Sequence, residues 1–600
     1  MTSGNAVSLT SNTGSAINFA TGSGTGMVLS TTSGIGFNAT GGGSVSVTGS
    51  NNTISSTTGI ALNVVNTAIG ASGLTFRSIS SNGASSGIVL NTTGSGGLTV
   101  TGGGSAGSGG TIRNGVTGIS LTSAQNVSLS WMQLNDFSDF AIRGSSVVNF
   151  TMASTVINGA SGDNAGFFEG SVRFTELTGS ASVTNSSISG GLVDNFNVVN
   201  TSGTLNRITF DTVTIGANSV SSGSDGILIE GQNAAVVNTT VQNSFFTSTR
   251  GDHFQLNLIG TASSNLIFTG NNISNSHPAV VSGGGGIRLT GGSTGGNVTA
   301  TYNISSNTIR DSNGTAIGVT KGAGTGSFSG TINGNTIGVA ATNGSGSAAG
   351  SGISVISAEG GSSVTAITNN TVRQYANFGI IVQAGGLPTV GTGTLDAVVT
   401  GNTISNPSTA IFAKNGFQLN SGTVPGDAFN VCLSFGGAGA LANSLAGSGT
   451  DGGTDFRLRQ RQSTTVRLPG YGGANNNDAA VITFGQGNNG VTPTGSATNT
   501  VPTGGGWTGG AACATAYAMQ PNDSLAAEED APIVVASTEL TKQTFADTLR
   551  NAAFHNTASG KVLLSVQPAL SSYETRRVSH LKFPHPQAAR LSSTNLGGAL

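Results

Sequence analysis

The chain has 600 residues, 22 basic and 24 acidic side chains, and a charged fraction of only 8%, far below the ~25% of an ordinary soluble domain. So balanced a charge gives nothing to steer it toward nucleic acid or anionic lipid, and no apolar run reaches the ~18 residues a spanning helix needs. The 96 glycines, with abundant Ser, Thr and Asn, would suit disorder, but 36% of the chain is hydrophobic and its Val, Ile, Leu and Phe recur in short alternating runs.

The opening MTSGNAVSLTSNTG has neither a basic n-region nor an apolar h-region, so no signal peptide is expected within this chain. It leads directly into repeats: GIALN, GIVLN and GISLT begin at Gly59, Gly87 and Gly118. Further on, two phrases alternate. One is Asn-x-apolar, headed by Asn243, Asn271, Asn307, Asn335, Asn370 and Asn402, with Asp211 heading a similar DTVTI. The other is a small residue followed by a short strand, whose first apolar residues are Ile227, Phe254, Ile287, Ile317, Ile353, Ile380 and Ile411. Their spacings are 27, 33, 30, 36, 27 and 31 residues.

Short period-2 strands separated by Gly/Asn turns exclude helical solenoids, which need long runs of 3.6-residue periodicity. Propellers need regular hairpin turns, which are missing here. The pattern predicts an all-β chain, a parallel β-helix over 1–430, each coil giving about three strands stacked at ~4.8 Å. A repeated Asn suits a tight turn because it tolerates left-handed backbone, and its amide can bond the Asn stacked above it.

Three aspartates precede strands by the same offset: Asp194 in DNFNV, Asp225 in DGILI and Asp252 in DHFQL, the last beside His253. Stacked at ~5 Å, with the outer pair ~10 Å apart, they overlap the carboxylate separations of glycosidases. Like charges so close raise one another's pKa, so they are candidates for a general acid or a Ca²⁺ site. The structural alternative is that each Asp caps the turn before its strand. Arg250-Gly251-Asp252 also spells a receptor-recognition tripeptide, which would have to project on a loop, and the loop before Phe254 is short.

Near residue 431 the pattern changes, and a C-terminal β-rich cap is expected over 431–520. Arg457, Arg459 and Arg461 alternate along a predicted strand, with Arg467 beyond. They read either as an anion- or polysaccharide-binding stripe or as a solvated edge strand whose charges block end-to-end aggregation. Cys432 and Cys513, 81 residues apart, lack a zinc spacing. They form a disulfide outside the cytoplasm or remain two buried thiols. Over 521–600 an acidic linker precedes an amphipathic helix carrying Leu540, Phe545, Leu549 and Phe554, then a poorly ordered basic tail. His555, His580 and His585 fall there without ligand spacing, so no metal is assigned to them.

On its coil phrases and repeated Asn, the stretch from about residue 20 to 430 resembles the right-handed parallel β-helix proteins of the pectate-lyase-like superfamily. Within them it is similar to bacterial surface and autotransporter-passenger adhesins. Compared with polygalacturonases, Ser224-Asp225-Gly226 resembles their first acidic motif. Asp252-His253 stands where that family pairs aspartates, the next coil reads GGGGIR where Gly-His-Gly belongs, and no Arg-x-Lys follows. The resemblance implies a non-catalytic extracellular or cell-surface protein binding surface glycans or host matrix, with no nucleic acid, no transmembrane segment and no cofactor beyond a candidate Ca²⁺. The competing expectation is a polysaccharide lyase or glycoside hydrolase of the same superfamily.

Overall fold

The computed structural model describes residues 2–22, 24, 26–274, 284–292, 295–386, 389–409, 413–490, 493–499 and 505–516, with the backbone of 553–556 and 562–565. In Ile227–Gly231, Phe254–Leu258, Ile287–Gly291 and Ile317–Lys321 every second residue is buried and those between face outward. That is what a strand with one covered face requires. Each pairs in parallel with its equivalent one coil on: Ile227 with Phe254, then Ile287, Ile317, Ile353 and Ile380.

This first ladder runs from Val7–Thr10 to Gly495–Asn499. A second runs from Ala16–Ala20 to Gly506–Thr508, and a third from Val28–Thr31 to Thr403–Ser405. The result is an all-β parallel β-helix. Its interior is rich in aromatic rings, with Phe37, Phe76, Phe150, Phe174, Phe196, Phe210, Phe246, Phe254 and Phe268 fully buried. Ring centroids lie 4.8 Å apart for Phe150–Phe174, 5.1 Å for Phe254–Phe268 and 4.4 Å for Phe417–Phe435. Such pairs are worth ~0.5–1.5 kcal/mol each beyond their burial.

One corner is set by a column of left-handed residues. Asn185, Thr212, Asn243, Gly270, Ser306, Gly334, Asn369 and Gly401 occupy it on successive coils, all at positive φ. Glycine and asparagine meet this need at the least steric cost.

The structure departs from the expected register in two places. Ile380 pairs with Phe417, while Ile411 lies outside the described residues. GFQLN at Gly416–Asn420 repeats the HFQLN of the earlier coil, and six further residues before it carry Lys414, whose buried ammonium pairs with Asp451. Earlier, Ile88 pairs with Leu62, so GIALN is offset by two residues from GIVLN. A two-residue slip keeps every side chain on its own face, which is why the phrase match does not reveal it.

The helix also does not end at residue 430. Ala428–Phe435 crosses that boundary and pairs with Thr392–Thr400 on one side and Thr465–Arg467 on the other. The expected cap is itself made of further coils. What closes this end is a helix that periodicity missed, Asp478–Gly487, capped by Asn477 Oδ1 accepting from Ala480 N–H at 3.0 Å. Val481 is buried and Gly485 lies against the Phe456 ring, where a Cβ would meet Cζ at 2.8 Å. Its Val, Ile, Thr, Phe and two Gly read as strand and turn, so packing outweighs propensity here.

Contacts divide the chain between Ala518 and Met519. Of the second unit, Ala553–Asn556 and Val562–Ser565 form an antiparallel pair. Phe554, the last residue of the expected amphipathic helix, falls on the first of these strands. Leu540, Phe545 and Leu549 lie outside the described residues.

Candidate functional site

The three aspartates do stack, and their carboxylates are spent on backbone. Asp194 Oδ1 accepts the N–H of Asp225 at 2.8 Å, Asp225 Oδ1 that of Asp252 at 2.9 Å, and Asp252 Oδ1 that of Gly285 at 2.6 Å. Asp194 Oδ2 also accepts from Asn197 Nδ2 at 2.6 Å. All three are buried. Each carboxylate thus ties its own coil to the next through a charge-assisted bond, worth ~1.5–3 kcal/mol. Burial pushes the Asp252 carboxyl up, while Arg288, whose Nη1 is 3.7 Å from Oδ2, and the Gly285 N–H pull it down.

His253 is fully buried beside Asp252 in sequence, yet its partners differ. Nδ1 lies 2.9 Å from Thr249 Oγ1, Nε2 has no partner among the described residues, and the Phe246 ring is 6.3 Å away. Burial pushes its pKa down to about 3, so the ring stays neutral near pH 7. The arginine of the tripeptide is folded back, Arg250 Nη1 donating to Gly223 O at 3.0 Å. Gly251 touches the preceding coil, where a Cβ would meet Ser224 O at 2.3 Å. Arg250-Gly251-Asp252 turns a corner.

The asparagines form a buried column. Asn271, Asn307, Asn335, Asn370 and Asn402 each donate from Nδ2 to Oδ1 of the next, at 3.1, 2.9, 2.9 and 3.0 Å in turn. The Oδ1 atoms of Asn307, Asn335, Asn370 and Asn402 also accept the backbone N–H of the Asn before them, as Asn335 Oδ1 does from Asn307 at 3.0 Å. The column continues through Asn443 and Asn489, at 2.9 and 2.7 Å, beyond the reach of the recognised phrases. Their contexts, ANSL and NNGV, fit the same Asn-x-apolar phrase, but they follow at 41 and 46 residues, outside the spacing of the recognised coils.

Asn243 is a correction. It occupies the exposed left-handed position, and the buried position belongs to Ser244, whose N–H donates to Asn271 Oδ1 at 2.9 Å. The two roles read into one Asn, left-handed turn and stacked amide, fall on adjacent residues.

Cys432 and Cys513 are joined in a disulfide with Cα atoms 5.5 Å apart. With Asp396 they make the group of metal-ligating side chains found among the described residues, but their sulfurs are bonded to each other and Arg467 Nη2 stands 3.7 Å from Asp396 Oδ1. Arg457 and Arg459 face outward from Phe456–Gln460, and Arg461 follows it, Nη2 donating to Asn420 Oδ1 at 2.7 Å. Lys321 and Asp427 are among the buried charges that gave no signal in sequence. Lys321 Nζ donates to the carbonyls of Gly322, Gly324 and Gly360, at 3.1, 2.9 and 2.5 Å. Asp427 accepts the N–H groups of Gly386, Gly391, Thr423 and Val424. Both hold loops in place. His555 lies on the second unit's strand, and His580 and His585 lie outside the described residues.

No protein-family model, no curated protein and no solved structure matches this chain.

Proposed function

We propose that this chain is a non-catalytic extracellular β-helix protein, a bacterial adhesin or surface-exposed stalk that binds glycans or other surfaces along its outer faces. The observation that carries the reading is the set of amide and hydroxyl ladders on those faces. Asn63 donates to Asn38 and Asn149 to Asn126, both at 2.8 Å, while Asn257 donates to Glu230 at 2.8 Å and accepts from Thr290 at 3.1 Å. Such groups repeat every ~4.8 Å along a rigid scaffold. Preordered donors and acceptors cost little entropy on binding, and many weak contacts to a polyhydroxylated chain sum to useful avidity.

Two further points support it. The stacked aspartates that would be the acid and base of a glycosidase have Oδ1 committed to backbone N–H groups, so a catalytic role would break the turns they hold. The Cys432–Cys513 disulfide suits an oxidising compartment. The test pairs binding with turnover on one panel of pectins and surface glycans. Retention of at least one glycan, without release of reducing ends or unsaturated uronides, is the expected result. Turnover that disappears in Asp225→Asn and Asp252→Asn would replace this reading with a lyase or hydrolase.

A further inference from the structure

Phe456–Gln460, which carries Arg457 and Arg459, is no edge strand. Phe456 pairs with Phe417 on one side and Gly495 on the other. Protection of an exposed edge therefore does not account for its arginines. Nor does charge pairing. The ion pairs among the described residues are Arg288–Asp252, Lys414–Asp451 and Arg467–Asp396, and none involves Arg457, Arg459 or Arg461. The carboxylate that Arg461 senses is Asp427, fully buried and held by four backbone N–H groups.

Three guanidinium groups are thus crowded and half-buried, with no ion pair to a carboxylate among the described residues. Burial first, then Arg461 and Arg457, lowers Arg459 to about 10, where it is still ionised at neutral pH. Their neighbours on adjacent coils are neutral and hydrogen-bonding. Arg457 stands between Gln418 and Ser496, and Arg459 between Asn420 and Thr498. Asn420 Nδ2 donates in turn to Gln383 Oε1 at 3.0 Å, extending the polar strip by one coil.

We infer that Arg457, Arg459 and Arg461 form a docking site for an acidic polysaccharide. Guanidinium forks receive its anionic groups, and the flanking Asn420, Ser496 and Thr498, which reach the surface, suit its sugar hydroxyls. Nucleic acid fits less well. The strip Gln383, Gln418, Asn420, Ser496 and Thr498 offers no ring on which a base would stack. The inference rests on the glycan-binding reading and narrows it to one site and one class.

The test is calorimetric titration of the full chain with dextran sulfate and with plain dextran of equal length, over a salt series. Wild type should bind the sulfated polymer and not the plain one. Replacing the three arginines by Gln should weaken binding at least about tenfold and lower the log–log salt slope by about 2. A control losing the same charge, Arg77→Gln with Arg113→Gln and Arg310→Gln, should change affinity less than about threefold. Arg→Lys at the three sites, keeping charge but not the fork, should fall between wild type and the Gln variant. Equal loss in the control, or duplex DNA binding as tightly as dextran sulfate, overturns the inference. Binding of neutral glycans alone also overturns it, while leaving the wider glycan-binding reading intact.

Discussion

His253 shows how a residue can look catalytic in sequence and be structural in space. Asp252 and His253 are adjacent, but consecutive side chains near a strand leave in different directions. Asp252 takes the turn and His253 enters the interior beside Phe246. Only the neutral imidazole is tolerated there. The tautomer protonated at Nδ1 donates to Thr249 Oγ1 and leaves Nε2 a bare acceptor, cheaper to bury than the unpaired N–H of the other tautomer. With the folded pKa near 3 and the unfolded one near 6.5, the unfolded chain takes up a proton that the folded chain refuses. The stability His253 permits is therefore complete above the unfolded value and lost as pH falls through that window, at about 1.4 kcal/mol per pH unit. Asp252, raised by burial, acts in the opposite sense, so wild type must be compared with His253→Phe. Denaturant titrations between pH 7 and pH 4 should show a steeper loss for wild type. Parallel curves would mean that the ring is solvated or cationic in the fold.

At the scale of the coil, the buried asparagine column carries corner stability. Asn335→Ala would remove donations to Ile304 O and Asn370 Oδ1 and the acceptor used by Asn307. Each buried group left unpaired costs ~1–3 kcal/mol, so a total loss of about 3 kcal/mol is expected. Ser329→Ala, on the outer side of Ser327–Asn333, should stay within about 0.5 kcal/mol. Hydrogen exchange should quicken in the coils around 307–370 in the first variant alone. Unchanged exchange would mean that the amide column is not formed in solution. Much of this corner was legible: the Asn phrase recurs because one geometry recurs. Its ends were not. Ser244 accepts the Val213 N–H with a hydroxyl where its neighbours use an amide oxygen, and Asn443 and Asn489 follow at 41 and 46 residues, beyond the period of the other coils. A pattern defined by residue type misses positions where a different group makes the same bond.

Across the described residues of 2–516, each coil touches mainly its neighbours, so stability is a sum of local terms and a constraint acts where it is placed. The period and the alternation made the solenoid readable because they are the same fact seen along and across the chain. The closing end was unreadable because the Asp478–Gly487 helix is held by Phe456 and Tyr471 and not by its own periodicity. The disulfide lies at this end. It ties Ala428–Phe435 to the segment that follows Thr508, across a sequence separation of 81 residues. Closing a loop of that length removes about 4 kcal/mol of unfolded-state entropy. A Cys432→Ser, Cys513→Ser double variant should therefore be destabilised by about 2–4 kcal/mol. The loss should fall on the last coils: exchange should quicken over 456–508 and stay as in wild type over 227–321, where no shared contact transmits it. Wild type treated with dithiothreitol should reproduce the variant. If reduction leaves 456–508 as protected as before, the last coils and the Asp478–Gly487 helix hold without the covalent link, and the bond serves only the segment beyond Thr508.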